Sequence, residues 1–321
     1  MSMLPDVTSL RDASEIVYQT MKPTPQYRWP LLGEAVGAEV WVKHENHTPV
    51  GAFKMRGGLV YFRELSARHP KGVHVVSATR GNHGQSIGVA AGRHGIKATI
   101  FVPHGNSREK NAAMRALGVQ LVEHGEDFQA AREEAARYAA REGSHFMPSF
   151  HTDLVRGVAS YWLEFFDALP NLDVVYVPIG QGSGICAAVA ARQARGVRTK
   201  IVGVTSAHAP AYALSFAARK SIEAPVSTQL ADGMACRIPD ADSLEIVLKH
   251  VDDVITVTDS EIAASMRLYF TATHNVAEGA GAAALAGALQ QRANLKGRRV
   301  GVVLSGGNVD ADVFAGVLTQ P

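Results

Sequence analysis

The segment TPVGAFKMRGG, residues 48–58, places a single lysine, Lys54, among glycines and small residues. Backbone can pack closely on both sides of such a residue and keep its amine away from water. A desolvated lysine has a pKa below its usual value of about 10.4, and its neutral amine is a nucleophile. A solvated surface lysine is the ordinary alternative, so a chemical role for Lys54 requires partner groups elsewhere in the chain.

A glycine-rich loop within VPIGQGSGICAAVA, residues 177–190, follows a strand-like run and leads into a helix-like run. Its residues are Gly180, Gln181, Gly182, Ser183 and Gly184. Glycines let the backbone approach an anion, and a helix N-terminus supplies free N–H groups and a positive dipole end. The loop therefore predicts a phosphate site, with a tight strand-to-helix turn as the alternative.

A dinucleotide site is a poorer interpretation of the same loop. The motif G-x-G-x-x-G would need a glycine where Ile185 stands, and an acidic residue near the end of the next strand. That position holds Val204, Thr205 and Ser206. The loop suits a single phosphate better than a pyrophosphate, which disfavours a nicotinamide-dependent oxidoreductase.

Two further loops follow strand-like runs. In SATRGNHGQS, Asn82 opens a helix-like run, where it could cap the helix or bind an oxygen of a ligand, and the nearby N–H groups form a second anion site. In LSGGNVD, the hydroxyl of Ser305 could cap a turn or donate a hydrogen bond to a ring nitrogen without protonating it. With Lys54 and the phosphate loop, these groups match pyridoxal 5′-phosphate and an amino-acid substrate.

The elements that position these loops alternate between strand and helix. Apolar runs at 73–79, 97–103, 119–124, 172–180 and 200–206 are separated by amphipathic, alanine-rich runs. This rhythm predicts an α/β fold with parallel sheets, whose ligand sites lie at the carboxyl ends of the strands. We expect two doubly wound parallel-sheet lobes with the cofactor cleft between them. The predicted boundaries are a small mobile lobe at 74–148 and a large cofactor-binding lobe formed by 1–73 and 149–321.

Composition limits the partners of the protein. A net charge of +2 over 321 residues gives no reason to expect nucleic acid or an acidic membrane surface. The two cysteines, Cys186 and Cys236, form no CxxC pair and are expected to be buried thiols in a reducing compartment. The first twenty residues do not resemble a signal peptide, and no apolar run is long enough for a bilayer. These features predict a cytoplasmic protein, and we also expect a homodimer.

The motifs together resemble the serine/threonine dehydratase and serine racemase family, pyridoxal-phosphate enzymes of the tryptophan-synthase β fold (fold type II). The resemblance runs from about residue 20 to 310. It is carried, in order, by PTPQYRWPLL, VWVKHENHTPVGAFKMRGG, SATRGNHGQSIGVAA, PIGQGSG, ADG at 231–233 and LSGGNVD.

The resemblance implies a role for each matching residue. Lys54 would be the Schiff-base lysine and the base for the α-proton, and Ser305 the partner of the ring nitrogen. The other residues implied in cofactor binding are Phe53, Asn82, Gly180, Gln181, Gly182, Ser183, Gly184 and Glu278. The residues implied in substrate binding are Thr79, Arg80, Gly81, Asn82 and His83.

Three departures from the family pattern bear on the reaction. Serine racemase has a serine, acting as acid and base, where this chain has Arg80, and a guanidinium is a poor proton acceptor. Arg80 could instead form an ion pair or clamp an anionic group of the substrate. Some members bind a divalent cation through two acidic residues, which are replaced here by Thr205 and Ala211, so no metal site is predicted. Ala52 stands where the family often has serine.

These observations predict a pyridoxal-phosphate-dependent dehydratase, that is, an ammonia-lyase. Its substrate would be a 3-hydroxy amino acid such as threonine, serine or 3-hydroxyaspartate, and its products a 2-oxo acid and ammonia. An amino-acid racemase or a β-replacement enzyme of the same fold is the alternative. A non-catalytic binding protein on this fold is a more distant one.

Overall fold

The strands of the chain assemble into two separate sheets in the computed structural model, which describes residues 4–319. The strands are β1 (Gln26–Arg28), β2 (Glu39–His44), β3 (Val75–Ala78), β4 (Ala98–Val102), β5 (Gln120–Glu123), β6 (His145–Phe146), β7 (Val174–Pro178), β8 (Lys200–Ser206), β9 (Asp253–Val257) and β10 (Arg299–Leu304). The α-helices are α1 (Val7–Tyr18), α2 (Pro30–Val36), α3 (Lys54–Arg68), α4 (Asn82–Arg93), α5 (Arg108–Ala116), α6 (Phe128–Arg141), α7 (Thr152–Ala168), α8 (Ser183–Arg195), α9 (Ala211–Ala218), α10 (Ala241–His250), α11 (Asp259–Thr273), α12 (Gly279–Gln290) and α13 (Ala311–Thr319).

The larger sheet has six strands in the order β1-β2-β10-β7-β8-β9, and the smaller has four in the order β5-β4-β3-β6. All pairs are parallel except β1 with β2, which are antiparallel. Parallel strands buried on both faces explain the continuous apolar runs in the sequence, such as Val300–Leu304 in β10. The predicted α/β class with two parallel-sheet lobes is confirmed.

Helices cover both faces of each sheet. In the larger sheet, residues of α7 and α8 form one core layer, and residues of α12 form the other. In the smaller sheet, α6 packs on one face. Met55, Leu59 and Phe62 of α3 pack on the opposite face, together with Val75 and Ile100.

The predicted lobe boundaries can be compared with this packing. All strands of the smaller sheet lie between residues 75 and 146, inside the predicted 74–148 segment. Helix α3, which precedes residue 74, nevertheless contributes to the apolar core beneath that sheet. The boundaries themselves stay a prediction. No helix in the described part of the chain has the length and apolar character needed to cross a membrane.

Candidate active site

Lys54 is held beside Ser305 by backbone contacts between two distant segments. Ala52 and Gly306 form an antiparallel bridge, and the N–H of Phe53 donates to the carbonyl of Ser305 over 3.1 Å. Lys54 is the first residue of α3, and its own carbonyl accepts a hydrogen bond of 2.7 Å from Ser86. The end of β10 and the start of α3 are thereby fixed against each other.

The amine of Lys54 lies in the cleft, 4.9 Å from the centre of the Phe53 ring. Removal from water lowers its pKa from 10.5 to about 8, although the negative charge of Glu278 pulls the value upward. About one in ten of these amines is therefore neutral at pH 7, against fewer than about one in a thousand for a surface lysine.

The loop at 180–184 has the form of an anion cradle. Gly182 has a left-handed φ of 98° and directly precedes α8. A Cβ atom at Gly182 would lie 1.6 Å from the hydroxyl oxygen of Ser243, and one at Gly180 would lie 2.3 Å from the carbonyl oxygen of Gly233. Glycine is thus required at both positions. At Gly184 the nearest atoms, on the Phe53 ring, would be 3.7 Å away, which is ordinary contact.

One cavity brings together all the residues that the sequence predicted for cofactor binding. They are Phe53, Lys54, Asn82, Gly180, Gln181, Gly182, Ser183, Gly184, Glu278 and Ser305. The donors fit pyridoxal phosphate: free N–H groups at the start of α8 suit the phosphate, and Lys54 suits the aldehyde. The Ser305 hydroxyl makes one long contact of 3.4 Å, to the carbonyl of Ala280, so its proton is available to a ring nitrogen.

Asn82 makes two side-chain contacts at the edge of this cavity. Its amide donates to Glu278 over 2.6 Å and accepts from Asn308 over 2.9 Å. Burial raises the pKa of Glu278, although Lys110 opposes that shift. The alternative in which Asn82 caps a helix is wrong, because Asn82 is the first residue of α4 and Gly81 precedes it as the cap.

An adjoining cavity is lined by all the residues predicted for substrate binding. They are Thr79, Arg80, Gly81, Asn82 and His83, and they share the cavity with Lys54. The hydroxyl of Thr79 accepts a 2.9 Å hydrogen bond from the N–H of Gly81. Burial and the charge of Lys54 lower the pKa of His83 to about 3, so this ring is neutral, and its Nε2 is buried without a hydrogen-bond partner.

Two residues of this cavity were missed in the sequence. Lys110 on α5 pairs with Asp232 over 2.7 Å and with Glu278 over 2.9 Å. Burial lowers the pKa of Lys110, but the two carboxylates outweigh it and raise the value overall. Asp232 lies in the ADG motif at 231–233, which could have drawn attention to it, whereas Lys110 lies in an amphipathic helix with no local signal.

A second set of charged residues, buried behind the start of α3, was also missed. This buried ion network consists of Lys43, Glu45, Arg56 and Glu164. The guanidinium of Arg56 contacts Glu45 at 2.8 Å and Glu164 at 2.6 Å, and Lys43 contacts Glu164 at 2.5 Å. Arg56, Lys43 and Glu45 are completely buried. Sequence showed Arg56 only as a neighbour of Lys54.

Metal-binding side chains do not cluster in the described residues: no group of three or more His, Cys, Asp or Glu could hold an ion there. Thr205, one of the two positions compared with the cation site of some relatives, is buried and donates a 3.3 Å hydrogen bond to the carbonyl of Ile255.

The two parallel-sheet lobes and the cleft with its lysine, phosphate cradle and hydroxyl donor define an α/β enzyme that holds a phosphorylated aldehyde. The chain belongs to the pyridoxal-phosphate-dependent enzyme family, whose family model matches residues 17–306. Pyridoxal 5′-phosphate is therefore its cofactor.

Named relatives refine this assignment. An L-threonine ammonia-lyase of Thermotoga maritima is 33% identical over 291 residues, which are 90% of this chain and 72% of that protein. An L-threo-3-hydroxyaspartate ammonia-lyase of Saccharomyces cerevisiae is 28% identical over 99% of this chain and 97% of that protein. The solved structure of maize serine racemase superposes with a TM-score of 0.88 at 26% identity, covering 98% of this chain and 96% of that one.

Proposed function

We propose that the protein is an ammonia-lyase that converts a 3-hydroxy amino acid into a 2-oxo acid and ammonia. The observation that carries this proposal is the convergence of a lysine of lowered pKa, a phosphate cradle and a neutral hydroxyl donor in one cleft. The two curated relatives named above, both ammonia-lyases, support the same reaction class.

In this proposal, separate residues bind the phosphate, the ring nitrogen and the ring hydroxyl of the cofactor. The first turn of α8, with the loop at 180–184, binds the phosphate. Ser305 donates a hydrogen bond to the ring nitrogen, and Asn82 bonds the ring hydroxyl. When bound, the cofactor links to the substrate amine through its aldehyde and accepts the electrons released at the α-carbon.

Proton transfer is assigned to Lys54. Its amine, neutral in about one molecule in ten at pH 7 because its pKa is about 8, removes the α-proton. Lys54 then carries this proton within a cavity lined by Phe53 and delivers it to the departing hydroxyl oxygen. Thr79, Gly81, Asn82 and His83 bind the substrate α-carboxylate beside it, with N–H groups of the first turn of α4 as donors.

Elimination is favoured over racemisation by two side chains. Ser305 is a neutral partner of the ring nitrogen and does not protonate it. Racemisation needs a second base on the opposite face of the substrate, and the position implied by the resemblance holds Arg80, whose guanidinium cannot accept a proton.

The test is release of ammonia and 2-oxo acid from a panel of 3-hydroxy amino acids in both configurations. Equal amounts of the two products are expected for at least one substrate. The variant Lys54→Ala should lose this activity by about 10³-fold or more. It should also lose the cofactor that borohydride fixes to the wild-type chain. Lys71→Ala, which alters an exposed lysine, serves as the control.

Three results would contradict the proposal. Full activity of Lys54→Ala would remove the lysine from the reaction. Inversion of the α-carbon without ammonia release, followed by chiral chromatography, would establish the racemase alternative. Cofactor fixed at Lys54 without turnover of any substrate would leave a binding protein.

We also propose a homodimer in the cytoplasm. Cys186 and Cys236 are both buried and free of disulfides, which supports a reducing compartment. Light scattering would be expected to give twice the 34.2 kDa of one chain. Cell fractionation tests the compartment.

A further inference from the structure

Arg80 is a cation in the substrate cavity that has no ion-pair partner in the described part of the chain. It follows β3 at the mouth of the cleft and lines the cavity that contains Lys54. Within residues 4–319 the side chain forms no ion pair, and its Nε is buried with no hydrogen-bond partner. A guanidinium N–H removed from water without an acceptor is costly, so such a group points to an anion supplied from outside the chain.

The acidic side chains near Arg80 are already engaged. Asp127, which lines the adjoining groove with Arg80, accepts from Arg237 over 3.2 Å and from the N–H of Ala130 over 2.8 Å. Asp232, which lines the same cavity, pairs with Lys110 over 2.7 Å. The chain thus neutralises Lys110 and Arg237, whereas the guanidinium of Arg80 has no carboxylate partner among residues 4–319.

We propose that Arg80 binds a second carboxylate on the substrate, so that the enzyme prefers 3-hydroxy amino acids with an acidic side chain, such as 3-hydroxyaspartate, over threonine and serine. This inference rests on the proposed ammonia-lyase function. In that function the N–H groups at the start of α4 bind the α-carboxylate, so the guanidinium of Arg80 is free to bind another anion. A planar guanidinium offers paired donors that fit a carboxylate.

Selectivity follows from the cost of leaving Arg80 unpaired. A substrate that puts a methyl group or hydrogen at this point buries the guanidinium without supplying an acceptor, and a site built for a polar group rejects such analogues strongly. The overall reaction balances: the water lost in elimination is regained in hydrolysis. One 3-hydroxyaspartate therefore gives one oxaloacetate and one ammonia.

The experiment compares kcat/KM for 3-hydroxyaspartate and threonine in the cofactor-loaded wild type and three variants. Wild type should prefer 3-hydroxyaspartate. Arg80→Met should lower kcat/KM for 3-hydroxyaspartate by about 10- to 150-fold, the effect of losing a hydrogen bond to a charged group. It should not lower kcat/KM for threonine, which no longer has to bury an unpaired guanidinium. Arg80→Lys should recover part of the loss. Arg195→Met, which removes a guanidinium paired with Asp167 outside this cavity, should leave the ratio unchanged.

Two results overturn the inference. An equal loss for both substrates in Arg80→Met would assign Arg80 to the α-carboxylate that they share. No change for either would mean that the guanidinium does not touch substrate. Arg80→Lys, which keeps the charge, guards against a folding defect in the methionine variant.

A binding measurement separates this inference from the proposed function. Aspartate and alanine lack the hydroxyl that is eliminated, so they report recognition alone through changes in the visible spectrum of the loaded enzyme. Aspartate should bind more tightly than alanine, and Arg80→Met should remove the difference. If no 3-hydroxy amino acid releases ammonia but this difference exists, the ammonia-lyase proposal fails and the acidic-ligand preference stands. Equal binding of aspartate and alanine to the wild type overturns the preference.

Discussion

Arg56 is buried in the interior beside Lys54 in sequence, and Arg80 lines the substrate cavity, yet the protein treats their charges in opposite ways. Behind the start of α3, Arg56 is completely buried and is paired with Glu45 and Glu164. At the mouth of the cleft, Arg80 is half-buried and has no partner among residues 4–319. The charge of Arg56 is thus satisfied within the chain, whereas Arg80 keeps its donors free for a ligand.

Lys54 stands between these two regions and shares features of both. Its backbone is fixed by contacts with Ser86 and, through Phe53, with Ser305. Its amine, by contrast, is desolvated without a direct carboxylate partner among residues 4–319, and the lowered pKa is the consequence. A desolvated amine lowers the stability of the folded protein but stays reactive, and such groups are typical of catalytic clefts.

The same substitution at the two arginines should have opposite consequences. Arg56→Met leaves the buried carboxylate of Glu45 without an ion-pair partner and leaves Glu164 with Lys43 alone, so it should lower the free energy of unfolding by roughly 3–5 kcal/mol. Arg80→Met removes a guanidinium with no partner and should change it by less than about 0.5 kcal/mol. Denaturant unfolding of the two variants beside the wild type measures both values.

The pH dependence of the Arg56→Met effect tests whether the buried ion pairs are its cause. Glu164 has a lowered pKa, because Arg56 and Lys43 outweigh the effect of its burial. Its contribution to stability is therefore present above the usual carboxyl pKa and is lost as the pH falls through the lowered folded value. The difference between wild type and Arg56→Met should shrink in that acid range. Equal destabilisation by Arg56→Met and Arg80→Met would erase the contrast between the two regions.

Removal of the Lys54 charge should stabilise the protein. A pKa lowered from 10.5 to about 8 corresponds to about 3 kcal/mol of lost stability at neutral pH. Well below pH 8 Lys54 is charged in both folded and unfolded chains, so the whole penalty applies. Above pH 10.5 it is neutral in both, so the penalty vanishes. Cofactor-free Lys54→Met should thus be more stable than wild type at pH 7, with the gain fading between these values.

Unfolding of cofactor-free wild type and Lys54→Met across that pH range gives the measurement. The rate at which wild type takes up pyridoxal phosphate should rise with a midpoint near pH 8, because only the neutral amine attacks the aldehyde. If Lys54→Met were less stable than wild type at pH 7, the amine would have a stabilising partner in the folded protein. Lys54 would then resemble Arg56 rather than Arg80.

Sequence reasoning predicted the fold and the cleft because their signals are local. Buried parallel strands produce continuous apolar runs, and a ligand loop at a strand end produces a run of glycines, as at 180–184. The buried ion network has no such signature, since Arg56 and Glu164 are 108 residues apart. Lys110 and Asp232 are likewise 122 residues apart. Partners that meet only in the folded chain cannot be found from the pattern around either one.

The phosphate cradle offers a third, intermediate comparison. Gly182→Ala would combine a left-handed backbone with a Cβ atom 1.6 Å from the Ser243 hydroxyl, so the loop must move. We expect the affinity for pyridoxal phosphate to fall on the order of 100-fold, since misplaced donors lose charged hydrogen bonds.

Gly196, at the other end of α8, serves as the control, because it also has a left-handed φ of 62° but has open space around it. Gly196→Ala should cost about 1 kcal/mol of stability and leave the affinity unchanged. Cofactor titrations of both variants distinguish crowding at the cradle from backbone strain alone, and equal affinities would show that the cradle does not bind phosphate.

The smallest expected effect concerns Ser305. Its hydroxyl has one weak contact, 3.4 Å to the carbonyl of Ala280, so the protein gains little stability from it. Ser305→Ala should leave the free energy of unfolding of the cofactor-free protein within about 0.5 kcal/mol of wild type. It should lower kcat about 2- to 10-fold, the value of one neutral hydrogen bond to the ring nitrogen. A stability loss comparable to that of Arg56→Met would place this hydroxyl among the internally satisfied groups. Ser305 would then stabilise the fold as Arg56 does, and the distinction between polar groups that stabilise the protein and polar groups that bind a ligand would not hold in the cleft.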